Sequence, residues 1–206
     1  MTTWILLRAA GIGAYVLLFL TVAWGLIGTT SVFGARVAKA TAVTIHQFLS
    51  TAALLLLGAH VGLLLADSFM PFRPLDVLVP LHATFRPVAT AFGVLAMYAT
   101  VIVLASSWFR RRVGPAWWRR LHLLAAPAFV LAMVHGVFAG TDTARPWMWW
   151  LYVGTGSIVL FLVIVRGLTA GVRPERHALP AGHAARPVRT AHAQSPSVPE
   201  PAERAG

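Results

Sequence analysis

The segment from Ala42 to Ala66 reads AVTIHQFLSTAALLLLGAHVGLLLA and contains no Asp, Glu, Lys or Arg. About 20 helical residues are enough to cross the roughly 30 Å hydrocarbon layer of a bilayer, so this segment is predicted to be a transmembrane helix. Its two ionisable side chains, His46 and His60, lie within the apolar run. Because ionisable groups are costly inside a membrane and usually serve a function there, these histidines are candidates for a functional site.

The rest of the chain shares this apolar character. Of its 206 residues, 58% are apolar and 11% are charged, and the mean hydropathy is +0.73. A soluble domain of this size needs more polar surface. We therefore predict an all-α fold, an integral membrane bundle of five transmembrane helices. The predicted spans are Trp4–Ile27, Ala42–Ala66, Thr84–Ser107, Trp118–Ala139 and Trp147–Leu168.

The two ends of the chain differ in character. The first span lacks the basic flank and cleavage site of a signal peptide, so we expect it to be retained. From about residue 171 the composition changes to Pro, Ala, Arg, Ser and His. Such a segment buries too little apolar surface to fold. We predict a membrane domain over residues 1–170 and a disordered cytoplasmic tail over residues 171–206.

Lysine and arginine are unevenly distributed. Thirteen of the 17 lie in or beside the loops after the first and third predicted spans, or in the C-terminal segment from Arg166 onward. Short loops rich in these residues stay in the cytoplasm. This pattern predicts a multi-pass protein of the plasma membrane, with the N-terminus outside and the C-terminus in the cytoplasm. The formal net charge of +11 is thereby explained as a topology signal, and no nucleic-acid partner is expected.

The ionisable residues inside the predicted spans are mainly histidines. His46, His60, His122 and His135 lie there, whereas all six acidic residues fall in predicted loops or in the tail. This distribution argues against the carboxylate relays of proton-coupled transporters. The chain also has no cysteine, which excludes thiolate-bound metal clusters and covalently attached haem.

The spacing of the four histidines predicts two levels in the membrane. His46 and His60 are fourteen residues apart, and His122 and His135 are thirteen apart, which is about 20 Å along each helix. Because the second and fourth spans run in the same direction, depth pairs His46 with His122 and His60 with His135. Thirteen residues would leave the last two on different faces of an ideal helix, but Pro127 between them can kink the helix and correct the phase.

Two imidazoles at each level indicate the kind of metal that the chain could hold. Zinc sites use three or four protein ligands, whereas a haem iron needs only two axial ligands because the porphyrin fills the other positions. We therefore expect the four histidines to be the iron ligands of two b-type haems. Arg8 and Arg86 lie at the depth of His60 and His135 and are candidates to bind haem propionates. His82 has no partner at equal spacing and is interpreted as an interfacial residue.

Glycine pairs occur within the apolar spans, but they do not indicate a nucleotide site. Gly11-Ile12-Gly13 has no predicted strand before it, so its glycines are interpreted as close-packing positions. No flavin or nicotinamide domain is expected in this chain.

The chain resembles the ferric reductase-like transmembrane family, which includes the membrane domains of NADPH oxidases and ferric reductases. The resemblance covers most of residues 4–168. It rests on the two histidine pairs, on the segment from Ser107 to Arg120 that leads into Trp118-x-x-x-His122, and on His135-Gly136 followed by Gly140-Thr141-Asp142-Thr143. Residues 67–87 further resemble short bacterial members of the kind found in actinobacteria. The resemblance implies that the four histidines are the axial ligands of two b haems.

The resemblance also implies a function. The expected protein is a dihaem cytochrome b that carries electrons across the bilayer from a cytoplasmic-side or quinol donor to an acceptor at the outer face. Its expected partners are membrane lipid and a separate donor or acceptor protein, such as a flavoprotein with its own flavin. The protein is then an oxidoreductase or its electron-transfer subunit. The alternatives are the haem subunit of a periplasmic methionine sulfoxide reductase system and a non-enzymatic metal transporter or membrane scaffold.

Overall fold

The computed structural model describes residues 2–29, 38–68 and 71–171, and over these residues it contains helices and no β-strand. Five helical stretches are long and apolar enough to cross a membrane, which confirms the all-α, five-span prediction. Arg36 and the predicted tail beyond Gly171 lie outside the described residues. The helices are α1 (Thr2–Thr29), α2 (Lys39–Ala66), α3 (Pro74–Leu78), α4 (Pro87–Trp108), α5 (Arg110–Val113), α6 (Pro115–His122), α7 (Ala125–Ala139) and α8 (Pro146–Gly171).

The third span begins later than the sequence predicted, at Pro87 instead of Thr84. Proline is favoured at the first position of a helix, and it pushes the preceding residue out of the helical region. Arg86 has a left-handed backbone with φ of 42°. It immediately precedes α4, whereas the predicted span had included it.

The fourth span is interrupted at Leu123 and Leu124, between α6 and α7. Pro127 has no N–H group, and its ring would clash with the Leu123 carbonyl in a continuous helix. The Leu124 amide instead donates to the Leu121 carbonyl at 3.0 Å, a tighter 3₁₀-type bond. The distortion that the sequence predicted at Pro127 is therefore present, and it lies between His122 and His135.

The bundle is centred on one aromatic cluster. Helix α1 packs against α2, α7 and α8, and α4 packs along α7. Phe129 of α7 is 1% exposed. Its ring stacks on that of Tyr15 at a centroid distance of 5.6 Å, and Tyr15 meets Tyr152 edge to face at 5.3 Å. This cluster joins α1, α7 and α8.

Many of the large side chains on the outside of the bundle are apolar. Phe48 and Leu55 on α2 and Phe161 on α8 are each more than 60% exposed. A continuous apolar surface of this kind is suited to lipid, and the helices satisfy their own backbone hydrogen bonds there. The protein is therefore a multi-pass membrane protein in contact with lipid.

Candidate metal centre

The structure places His46 of α2 beside His122 at the end of α6. Their ring centroids are 6.0 Å apart, with an angle of 61° between the ring planes. The ring of Trp118 lies 5.2 Å from that of His122. This pair, the His46/His122 level, consists of the two residues that depth alone had matched.

The second pair, the His60/His135 level, lies at a cavity of about 250 Å³. Helices α1, α2, α4, α7 and α8 all contribute to its lining, which includes both histidines. His60 Nδ1 lies 3.1 Å from the Leu7 carbonyl, and His135 Nδ1 lies 2.8 Å from the Ala89 carbonyl. Because a carbonyl oxygen can only accept, Nδ1 must carry the proton in each ring. The tautomer thus leaves Nε2 as the atom that can bind a metal.

At the His46/His122 level the corresponding atoms are less well paired. The Nδ1 atoms of both rings are buried and have no partner within hydrogen-bond distance in the part of the chain that the structure describes, and only a weaker interaction with the Thr21 backbone reaches His46. Buried polar atoms are nearly always paired, and leaving one unpaired costs free energy. The two levels therefore differ in how the backbone supports their imidazoles.

Three of the four rings lie against glycines of neighbouring helices. A Cβ added to Gly11 would come within 2.9 Å of His60, and one added to Gly93 within 2.7 Å of His135 Nδ1. Gly25 is less tight, at 3.2 Å from His46. Distances below 3.0 Å do not fit a real side chain, so Gly11 and Gly93 are required for the approach of these rings. Gly11 was expected to be a close-packing position, whereas no pattern in the sequence had pointed to Gly25 or Gly93.

Arg8, a predicted propionate partner, is ion-paired within the bundle. Its Nε donates to Asp142 Oδ2 at 2.7 Å, and its Nη2 donates to Oδ1 of the same carboxylate. Arg145 Nε lies 3.2 Å from that Oδ1. Arg8 and Asp142 both line the cavity of His60 and His135.

Asp142 corrects one expectation of the sequence analysis. It lies in the loop between α7 and α8, as predicted, but it is 5% exposed and faces the cavity. A carboxylate therefore reaches the interior, although every acidic residue had been placed away from it. The available signal was its position in Gly140-Thr141-Asp142-Thr143, one of the motifs that carry the family resemblance.

Arg86, the other predicted propionate partner, is placed differently. Its guanidinium donates to the Phe138 carbonyl and lies 5.4 Å from the ring centre of Phe85. The side chain is exposed, and Arg86 is outside the lining of the cavity, although Phe85 is part of it. Of the two arginines, Arg8 is the one that the structure brings to the His60/His135 level.

The described residues contain no group of three or more His, Asp or Glu side chains that could hold a metal ion between them. Each level thus offers a pair of imidazoles. A family model described as the ferric reductase like transmembrane component matches residues 10–133, more than half of the chain.

The chain belongs to the ferric reductase-like transmembrane family. Members of this family generally bind haem, and the membership supports a role in electron transfer at a membrane. No curated protein and no solved structure matches this chain. The matched range of this ferric reductase-like chain contains His46, His60 and His122 and ends two residues before His135.

His82 of the ferric reductase-like chain pairs with a carboxylate outside the two levels. Its Nδ1 lies 2.6 Å from Asp76 Oδ1, and Asp76 also accepts a bond from the Arg73 amide at 2.8 Å. The Arg73 amide, followed by His82, lowers the pKa of Asp76 below its usual range. The His82 side chain is 41% exposed, so it lies at the surface of the described chain.

The Arg8–Asp142 pair predicts a specific response to acid. The hydrogen bond from Arg8 is the main cause of a lowered pKa for Asp142. A lowered folded-state pKa means that the stabilisation is complete above about pH 4, the unfolded value, and is lost as the pH falls through the folded value. We expect the thermal midpoint of wild type to exceed that of Asp142→Asn at neutral pH.

This difference should be constant from pH 7 to about pH 4.5 and should shrink below about pH 4. Differential scanning fluorimetry in detergent over this range measures it. Asp142→Asn keeps the size of the side chain and removes the charge. Identical acid profiles for the two proteins would show that the pair does not stabilise the fold.

Proposed function

We propose that this chain is a membrane cytochrome b that holds two b haems and carries electrons across the bilayer. One haem is held between His46 and His122, and the other between His60 and His135. The observation that carries the proposal is the pairing of four intramembrane imidazoles at two levels of one bundle.

The spacing within the first pair fits this role. Two imidazoles that bind one iron from opposite sides have ring centroids about 6 Å apart, since each metal–nitrogen bond is about 2 Å. The rings of His46 and His122 are separated by 6.0 Å.

The second pair fits for a different reason. A metal-binding histidine commonly donates its other ring N–H to a backbone carbonyl, which fixes the ring and raises its basicity. His60 and His135 both make this bond, and both line the same cavity. The apolar surroundings of that cavity exclude water, and Arg8 at its edge is a cation that a haem propionate could share with Asp142. Arg86 remains a second candidate for a propionate.

When bound, a haem with two histidine ligands supplies one-electron redox chemistry and has no open position for oxygen. His46 and His60 are fourteen residues apart on α2, which places the two levels about 20 Å apart along this helix. This separation would place one level towards each side of the membrane.

We further propose that the His46/His122 level faces the cytoplasm and the His60/His135 level faces outside. A cluster of five arginines lies at the His122 end of the bundle. Because arginines in short loops favour the cytoplasmic side of a membrane, this cluster supports the orientation. Three of them contact aromatic rings, as in Arg110 over Trp118 at 5.2 Å. The cluster comprises Arg110, Arg111, Arg112, Arg119 and Arg120.

In this orientation, a cytoplasmic-side or quinol donor would reduce the first level, and an acceptor outside would receive the electron. A flavoprotein with its own flavin is the proposed soluble partner. The membrane domain would comprise residues 1–170, with the segment that follows it in the cytoplasm, and the membrane would be the plasma membrane.

An optical spectrum tests this function. The full-length chain, produced with ample haem and purified in detergent, should show the low-spin spectrum of a bis-histidine b-type cytochrome. A pyridine haemochrome assay should give two haems per chain. His82→Ala is the matched control, because His82 lies outside both levels, and it should retain both haems. A correctly inserted but colourless protein would refute the proposal, and metal-dependent uptake by that protein would favour a transporter.

A further inference from the structure

Two histidines of the bundle share one local arrangement with the neighbouring helix. His60 lies over Gly11 and bonds to the carbonyl of Leu7, four residues before that glycine. His135 lies over Gly93 and bonds to the carbonyl of Ala89, again four residues earlier. We call the glycine and this carbonyl a glycine seat.

The seat works because the carbonyl is already part of a helix. The carbonyl four residues before a glycine accepts the hydrogen bond of that glycine's own N–H group. A carbonyl oxygen has two lone pairs and can accept a second bond from the side. A side chain at position 11 or 93 would occupy the space from which the imidazole approaches, as the distances of 2.9 Å and 2.7 Å show.

The other level lacks a complete seat. Gly25 lies opposite His46, and Thr21, four residues before it, interacts with His46 through its backbone. This seat is looser, because the Cβ position of Gly25 is 3.2 Å from the ring and His46 Nδ1 has no partner within hydrogen-bond distance among the described residues. His122 lies thirteen residues before His135, so the corresponding position on the antiparallel helix α4 lies thirteen residues after Gly93. That position is Ser106. Ser106 is buried and bonds its own helix at the Val103 carbonyl, 2.8 Å away.

We propose that the glycine seats make His60 and His135 the stronger electron donors, so that the His60/His135 level has the lower reduction potential of the two. This inference rests on the proposed binding of two haems, and it makes the proposed step from the His46/His122 level to the His60/His135 level uphill, so net transfer would be driven by the potentials of the donor and the acceptor. An Nδ1–H bond to a carbonyl makes an imidazole more basic and stabilises the oxidised metal, and hydrogen bonding around the ligands is one of the means by which proteins set haem potentials. Both imidazoles of this level make such a bond, whereas at the other level His46 has only a weaker interaction with the Thr21 backbone and His122 Nδ1 is unpaired among the described residues.

Redox titration of single-level proteins tests the order. His46→Ala combined with His122→Ala leaves only the His60/His135 level, and His60→Ala combined with His135→Ala leaves only the other. We expect the first protein to titrate at the lower potential. The opposite order, or equal potentials, would overturn the inference. Failure of both proteins and of wild type to bind haem would instead refute the proposed function.

Glycine variants then test the seat itself. In the protein that retains His60 and His135, Gly93→Ala should raise the midpoint potential and shift the low-spin electron paramagnetic resonance signal, because the added methyl group displaces the ring. Gly58→Ala is the control, since nothing lies within 4 Å of the added Cβ, and it should change neither. An unchanged potential in Gly93→Ala with full haem content would contradict the role of the seat. If Gly93→Ala fails to fold, the order of the midpoint potentials of the two single-level proteins still tests the inference.

Discussion

Replacing His135 with alanine is expected to remove one of two haems and to leave the other in place. His135 lines the cavity with His60 and has no contact with the His46/His122 level, whose rings pair with each other at 6.0 Å. A bis-histidine site that loses one ligand is left with a single protein bond to the iron, which favours loss of the haem or a high-spin spectrum. The pyridine haemochrome assay should fall from two haems per chain to about one.

The complementary variants sharpen this prediction. His60→Ala should match His135→Ala, whereas His46→Ala should remove the other haem, which the redox titration distinguishes. His82→Ala serves as the histidine control and should retain both. Equal loss of both haems in His135→Ala, with the protein still inserted and monodisperse, would contradict the assignment of His60 and His135 to a separate level.

Truncating Phe129 is expected to have the largest effect on stability. Its side chain is 1% exposed and stacks on Tyr15 in the aromatic cluster that joins α1, α7 and α8. Removing a buried phenylalanine side chain typically costs about 3 to 5 kcal/mol through lost contacts and the cavity left behind. We expect Phe129→Ala to lower the free energy of unfolding by about 3 kcal/mol, measured by denaturant titration in mixed micelles.

A matched control exists on the same helix. Phe138 of α7 is 61% exposed, and its contact with Arg86 is through the backbone carbonyl, so Phe138→Ala should have little effect on stability. Phe129→Leu, which keeps much of the volume, should fall between wild type and Phe129→Ala. Similar losses for Phe129→Ala and Phe138→Ala would show that the aromatic cluster is not the centre of the packing.

The spans could be predicted because a bilayer requires an apolar run of sufficient length, and such a run is a local property of the sequence. Five apolar runs of sufficient length are visible in the sequence, and all five are helical in the structure. The pairing of His46 with His122 was also predictable, since depth in the membrane follows from residue number once the helix direction is known. Pro127 indicated the interruption between α6 and α7, because its ring and its missing N–H group disrupt the hydrogen bonding of the turn immediately before it.

Other features of the site depend on contacts between distant residues. Arg8 and Asp142 are 134 residues apart, and nothing in either local sequence shows that they meet. The positions of Gly25 and Gly93 opposite His46 and His135 depend on the register between antiparallel helices. The predicted third span included Arg86, whereas the start of α4 is set by Pro87 and not by hydropathy.

The amino-acid sequence by itself determined that this protein is a five-span membrane bundle with two levels of histidines, because hydropathy and the 1.5 Å rise of a helix are local properties. The tertiary structure alone decided which backbone carbonyls support those histidines and which arginine reaches the cavity. These features depend on the rotation of each helix about its axis, which is set by the packing of side chains from several helices at once.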